Sequence, residues 1–275
     1  MKINYKYYFT ALIVFVVACK ENPKTTSTKS NESTATSSEL QLSDSYEDLV
    51  DENMASFKLT PISHATAVVQ FEDKTIYIDP TGGKDAFKNA PLPDLILITD
   101  IHGDHMNIET LKSLDLSKAK MIVPQAVAEK LPAEYTDQLL LLANGETKDV
   151  MGISIEAIPM YNLRKEALKF HEKGRGNGYV LTLGEERVYF SGDTEDIPEM
   201  RNLKNIDHAF VCMNLPYTMT VESAADAVLE FKPKNVYPYH YRGTDGLSDV
   251  KKFKKLVNSK NQAIKVTQLD WYPTK

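Results

Sequence analysis

Cysteine is nearly absent. Cys19 and Cys212 are the only two in 275 residues, so no disulfide framework organises the fold. A hydrophobic share of 42% and a charged share of 25% suit a globule held by an ordinary core. The apolar run Phe9 to Ala18 falls well short of the roughly 20 residues that a membrane-spanning helix needs. Basic charge is in deficit, with a formal net charge of −6. That balance disfavours nucleic acid as a partner, because phosphate recognition draws on an excess of Lys and Arg. The chain has no G-x-S-x-G, no phosphate-cradling loop and no paired dinucleotide glycines. Nor does a period of about 20 to 50 residues repeat, which excludes a solenoid.

What is present begins with the N-terminal stretch "MKINYKYYFTALIVFVVAC", where Lys2 and Lys6 precede the apolar run. This is the layout of a secretory signal. Val16-Val17-Ala18-Cys19 resembles a bacterial lipobox. The resemblance implies that residues 1–18 are a lipoprotein signal peptide and that Cys19 carries lipid at the mature N-terminus. The chain would then be anchored in a bacterial cell envelope. Lys20, not an acid, follows the cysteine, so inner-membrane retention is not signalled and the outer membrane is expected, on its periplasmic or surface side. Within residues 19–55, "KTTSTKSNESTATSSE" cannot bury enough apolar area to fold and reads as a flexible tether. Cys212, in "HAFVCMNLP", reads as a small buried hydrophobe.

Residues 56–275 carry the folded domain. "ATAVVQF" and "TIYIDP" flank Glu72-Asp73-Lys74 as a hairpin, and "DLILIT" suits a strand buried on both faces. Asn107 is placed to cap a helix over "IETLKSL". "KMIVP" reads as a strand and "QAVAEKL" as a helix. A second group follows: "ISIEAIP", a loop from Met160 to Asn177, then "GYVLTL" and "RVYFSG" about a tight turn. "HAFVCMN", the helical "VESAADAVLEF" and "NVYPYH" complete it. Two groups of strands, each ending in helices, predict an α/β fold: an αββα sandwich of two mixed sheets with helices outside. Gly174, Gly176 and Gly178 read as a flexible turn beside a cleft.

Histidine is scarce, at six residues, yet two of them fall in "LILITDIHGDHMN", residues 95–107, with two aspartates. Asp100, His102, Asp104 and His105 close a buried strand and open a helix, so all four can point into one cleft. Imidazole nitrogen and carboxylate oxygen are donors that divalent first-row metals accept. Four potential ligands in six positions suit two adjacent ions.

"TDIHGDHMN" resembles the T-H-x-H-x-D-H motif of the metallo-β-lactamase superfamily, with Asp100 at the first histidine position. "FSGDT" and "PYHY" follow in the family's order. The opening "ISHATAVVQFEDKTIYIDP" is similar to the L-ascorbate-6-phosphate-lactonase-like branch. The resemblance implies one metal held by Asp100, His102 and His171 and a second held by Asp104, His105 and His240, with Asp193 bridging them. Asn162 stands where a third histidine is usual, so His171 or Asn162 completes the first site. Asp104 would also take a proton from an attacking water. His64 would either orient substrate or an outer carboxylate, or simply pack. His208 reads as structural or exposed. Tyr217 or Arg242 could meet an anionic substrate.

The implied cofactors are two divalent ions, zinc by default and manganese or iron given the extra carboxylate. The implied activity is hydrolysis of a small-molecule ester, lactone or phosphodiester. The alternative is a non-catalytic surface protein that binds metal or ligand and keeps the fold.

Overall fold

The computed structural model describes residues 56–273, so the expectations for the signal, lipidated cysteine and tether lie outside the described residues. Six strands form the first sheet: β1 (Phe57–Ser63), β2 (Thr66–Phe71), β3 (Lys74–Ile78), β4 (Leu95–Leu97), β5 (Lys120–Val123) and β6 (Leu139–Leu141). They lie side by side in chain order. The first three pair antiparallel and the rest parallel, so the sheet is mixed.

The second sheet takes β7 (Thr147–Val150), β8 (Ile153–Met160), β9 (Gly176–Leu183), β10 (Glu186–Phe190), β11 (His208–Cys212) and β12 (Asn235–Tyr239). A small ribbon of β13 (Arg242–Gly243) and β14 (Gly246–Leu247) intervenes, and β15 (Lys265–Val266) joins the sheet's edge. Antiparallel pairing from β7 to β10 gives way to parallel pairing from β10 to β15.

Side-chain alternation sorts the layers. Ala67, Val69 and Phe71 of β2 join Ile76 and Ile78 of β3 in a core shared with the second sheet. Their neighbours Val68 and Tyr77 face the other way and pack with Leu111 and Val127. Those two belong to α1 (Ile108–Ser113) and α2 (Gln125–Ala128). Such a period-2 split is what a strand covered on both faces requires. Beyond the second sheet lie α3 (Pro198–Arg201), α4 (Val221–Phe231) and α5 (Val250–Lys260). Ala224 and Val228 of α4, with Phe253 and Val257 of α5, close the main core from that side. The expected αββα sandwich is therefore present. No helix among the described residues is long and apolar enough to cross a membrane.

The Asn107 cap is present, its Oδ1 accepting the Thr110 N–H at 2.8 Å. The expected helix after "KMIVP" is shorter than read, ending at Ala128. The glycine turn is a correction, because Gly176 and Gly178 lie inside β9. A Cβ on Gly178 would meet the carbonyl oxygens of Ser191 and Phe190 at 2.8 and 2.9 Å. These glycines let backbones approach, and only Gly174, at φ 89°, sits in a turn. The ends of β1, β3, β4, β8, β10 and β12 share one rim of the sandwich, as their directions in the two sheets require.

Candidate metal centre

Each expected ligand comes from this rim. Asp100 and His102 follow β4, and Asp104 and His105 occupy the turn before α1. His171 belongs to the loop between β8 and β9, Asp193 follows β10, and His240 follows β12. The structure brings them into two groups, Asp104, His105, Asp193 and His240 in one, Asp100, His102 and His171 in the other. Within each group the candidate ligand atoms lie within 4.8 Å of one another.

Asp193 stands between the groups. Its Oδ2 is 3.3 Å from His105 Nε2 and 3.2 Å from His171 Nε2, and its Oδ1 is 3.3 Å from His240 Nε2. Asp104 Oδ2 lies 3.4 Å from His240 Nε2. Asp100 Oδ2 is 2.8 Å from His102 Nδ1 and 3.9 Å from His171 Nε2. His105, His171, His240 and Asp193 are buried, whereas His102 and Asp104 border solvent.

Hydrogen bonds on the far side of the rings decide which nitrogen faces inward. Buried Asp79 accepts from the Thr99 N–H at 2.7 Å with one oxygen and contacts His105 Nδ1 at 2.8 Å with the other. A carboxylate there makes Nδ1 the donor and turns the Nε2 lone pair toward the cluster. His171 Nδ1 donates in the same manner to the Tyr217 carbonyl at 3.2 Å. Inward nitrogens then meet inward nitrogens and carboxylates: His105 Nε2 is 3.1 Å from His240 Nε2. Asp193 Oδ1 is buried with no hydrogen-bond partner. The inward lone pairs of His105 and His171 converging on carboxylates, around an orphaned buried oxygen, fit a divalent cation. Nitrogen and oxygen donors in this mixture suit zinc, manganese or iron.

Charge follows the same logic. Burial works against ionisation of Asp193, but His240 and His105 outweigh it and hold its carboxyl well below the usual range. For Asp104, burial again opposes ionisation, and hydrogen bonds from His240 and His64 outweigh it. Asp100 is held low against burial by His102, His105 and Arg175. Arg175 places Nε 3.1 Å from Asp100 Oδ1 and Nη2 2.9 Å from Oδ2, a fork that few other side chains could supply.

Asn162 does not face the centre. Its amide donates to the carbonyls of Ala167 and Tyr217, and its N–H to the carbonyl of His171. It staples the loop that presents His171. His64 reaches the cleft, with Nε2 3.3 Å from Asp104 Oδ2 and its ring 3.8 Å from that of His240. Burial lowers its pKa. His64 and His240 hold φ of 59° and 47°, a left-handed conformation uncommon in bulky residues and concentrated at functional sites. His208 is structural, buried against the Tyr237 hydroxyl at 3.1 Å and Glu186 at 3.6 Å. Burial pushes the Cys212 thiol up to about 12, in keeping with a core residue.

A cavity of about 290 Å³ opens on the cluster, lined by His102, Asp104, Phe170, His171, Asp193, Asn214 and Tyr217. Tyr217 is thus at the site, packed edge-on against Phe170, while the Arg242 guanidinium stacks on Tyr272 instead. Sequence reading missed Asp79 and Arg175. Each left a signal: an acid ending a hairpin strand in "YIDP", and a cation in the glycine-rich "GRGNG" beside the cleft.

An αββα sandwich with its histidines and aspartates gathered at one rim is the metallo-β-lactamase fold. A family model described as the beta-lactamase superfamily domain matches residues 58–240, and the chain belongs to that superfamily. It is 29% identical over 220 residues to a UPF0173 metal-dependent hydrolase of Pyrococcus horikoshii, covering 75% of this chain and 95% of that one. A crystal structure from Parabacteroides distasonis, assigned as a metal-dependent hydrolase, shares 36% identity with a TM-score of 0.70, over 78% of this chain and 94% of that one. Igni18, a metallo hydrolase of Ignicoccus hospitalis, has a TM-score of 0.65 at 22% identity, over 80% of this chain and 99% of that one. That likeness shows the shared fold.

Proposed function

We propose that this metal-dependent hydrolase holds two divalent ions, zinc foremost, and uses them to cleave a small ester, lactone or phosphodiester outside the cytoplasm. The observation that carries the reading is Asp193, whose two oxygens meet imidazole nitrogens from three separate chain segments. Asp100, His102 and His171 would hold one ion and Asp104, His105 and His240 the other, with Asp193 shared. Ions so held supply Lewis acidity and lower the pKa of a bound water toward neutrality.

The chain's own groups do the rest. Asp104, half-exposed at the cavity and kept ionised, would hold and orient the attacking water by accepting its hydrogen bond. Buried His105 and His240 keep their positions through Asp79 and the turn after β12. Phe170 and Tyr217 offer an apolar wall to the part of the substrate that does not react, and Asn214 a polar contact. The small cavity and the acidic chain favour small molecules over nucleic acid. The opening hairpin with His64 supports the lactonase-like branch.

The lipobox-like Cys19 supports anchoring in the outer membrane through lipid, with residues 19–55 as tether. Exchange of Cys19 for serine should release the protein from the membrane fraction, and unchanged fractionation would remove the anchor from this reading. For catalysis, wild type should carry two zinc ions per chain and hydrolyse at least one compound of an ester, lactone and phosphodiester panel. His102→Ala should lose about one ion and most of the rate. Equal metal content in both proteins would refute the ligand assignment. Bound metal without turnover would favour a non-catalytic surface binding protein, a reading to which the Arg175–Asp100 pair lends weight by competing for one ligand.

A further inference from the structure

The C-terminal segment, beyond the residues matched by the family model, reaches into the site through Tyr272. The Tyr272 hydroxyl lies 2.7 Å from His64 Nδ1, across 208 positions of sequence. It also accepts the backbone N–H of Arg242 at 3.0 Å. An N–H can only donate, so the phenol oxygen is the acceptor at that end and its own proton is left for another partner. The acceptor within reach of that proton is His64 Nδ1, 2.7 Å away, which we take as the phenol's partner. That nitrogen is then the acceptor, and the imidazole proton sits on Nε2, which lies 3.3 Å from Asp104 Oδ2.

We propose that Tyr272 is a positioning residue of the metal centre, which fixes His64 as its Nε2–H tautomer so that His64 donates to Asp104 Oδ2. Two backbone contacts and a special dihedral prepare His64 for this. Its N–H bonds to the Trp271 carbonyl at 3.2 Å, its carbonyl accepts the His240 N–H at 3.2 Å, and its φ is 59°. The backbone of His64 is therefore clamped between the C-terminal segment and the strand end that carries His240. The Tyr272 ring is itself held, with the Arg242 guanidinium 4.2 Å above it and Tyr241 packed against its edge. Burial raises the Tyr272 pKa, so the phenol keeps the proton it donates. Asp104 Oδ2 is thus held by His64 beside His240, while Oδ1 lies 3.9 Å from His105 Nε2. The inference rests on Asp104 belonging to the site proposed above.

Nitrogen-15 NMR of the imidazoles tests it directly, in the full chain both metal-free and loaded with zinc alone. The two ring nitrogens differ widely in shift when only one is protonated. Wild type should show His64 protonated on Nε2 and bare on Nδ1 in both states. Tyr272→Phe keeps the ring and its packing, and should bring in the Nδ1–H tautomer. On a turned-over substrate it should lower kcat about tenfold with KM within a factor of about two. His64 protonated on Nδ1 in wild type would overturn the proposal, as would a variant with unchanged tautomer and kcat. The wild-type spectrum decides even if the variant folds poorly. Because the metal-free chain is also read, failure to bind zinc would sink the proposed function and leave this measurement standing.

Discussion

Asp79 touches no substrate, yet it decides which nitrogen of His105 faces the cluster. Both of its oxygens are spent, one on the Thr99 N–H and the other on the Thr99 hydroxyl and His105 Nδ1. In Asp79→Asn an amide replaces the anion, and His105 loses the charge that makes Nδ1 its proton-bearing nitrogen. Zinc affinity should fall by about 10- to 100-fold, the range usual for loss of such an outer partner, while the chain stays folded. Competition with a chromophoric chelator measures this. An affinity within a factor of about two of wild type would mean that Asp79 merely fills space. Arg175 differs from Asp79 in that its fork engages both oxygens of Asp100, so it fixes that carboxylate while competing with a metal for it.

At the scale of the element, β9 matters because it carries no side chain where β10 ends. A Cβ at position 178 would press on two backbone oxygens, at 2.8 and 2.9 Å, and backbone cannot turn aside as a side chain can. Gly178→Ala should cost about 1 to 3 kcal/mol, the range for overpacking a tight site, seen as a lower urea midpoint. Because the displaced residues Phe190 and Ser191 lead directly into Asp193, the same variant should hold less zinc per chain. Wild-type zinc content at lowered stability would separate the two effects and show that the turn after β10 absorbs the shift. Strand β1, the short strands β6, β7, β13, β14 and β15, and the helices α3 and α5 escaped the sequence reading. Strands of two to four residues are too brief to show a period of two. In α5, five lysines among eleven residues mask an apolar stripe that rests on Phe253 and Val257.

For the whole molecule, stability should depend on a histidine remote from the proposed chemistry. Burial lowers the pKa of His208 from its ordinary 6.5, with Glu186 only partly opposing it. The unfolded chain therefore binds a proton near pH 6.5 that the folded chain still refuses. Below that pH the unfolded state holds more protons, so stability declines as pH falls, until the folded imidazole protonates too. Urea midpoints at about pH 7.5 and 5.5 should differ less in His208→Gln than in wild type. Identical pH dependence in the two proteins would assign the acid sensitivity to other groups.

The sequence by itself determined the kinds and order of the candidate ligands and the layered architecture. Both are written locally: apolar strands end in polar residues, and alternation shows which strands are covered on two faces. Even the departure at Asp100 was legible as a letter. What only the tertiary structure decided is which group serves which ligand. His171 rather than Asn162 enters the site because Asn162 spends its amide on loop carbonyls. Asp79 with His105, Arg175 with Asp100 and Tyr272 with His64 are pairs made across 26, 75 and 208 positions. Hydrogen bonds of that reach depend on how two sheets stack and which strand ends share a rim, and no periodicity in a linear chain records it.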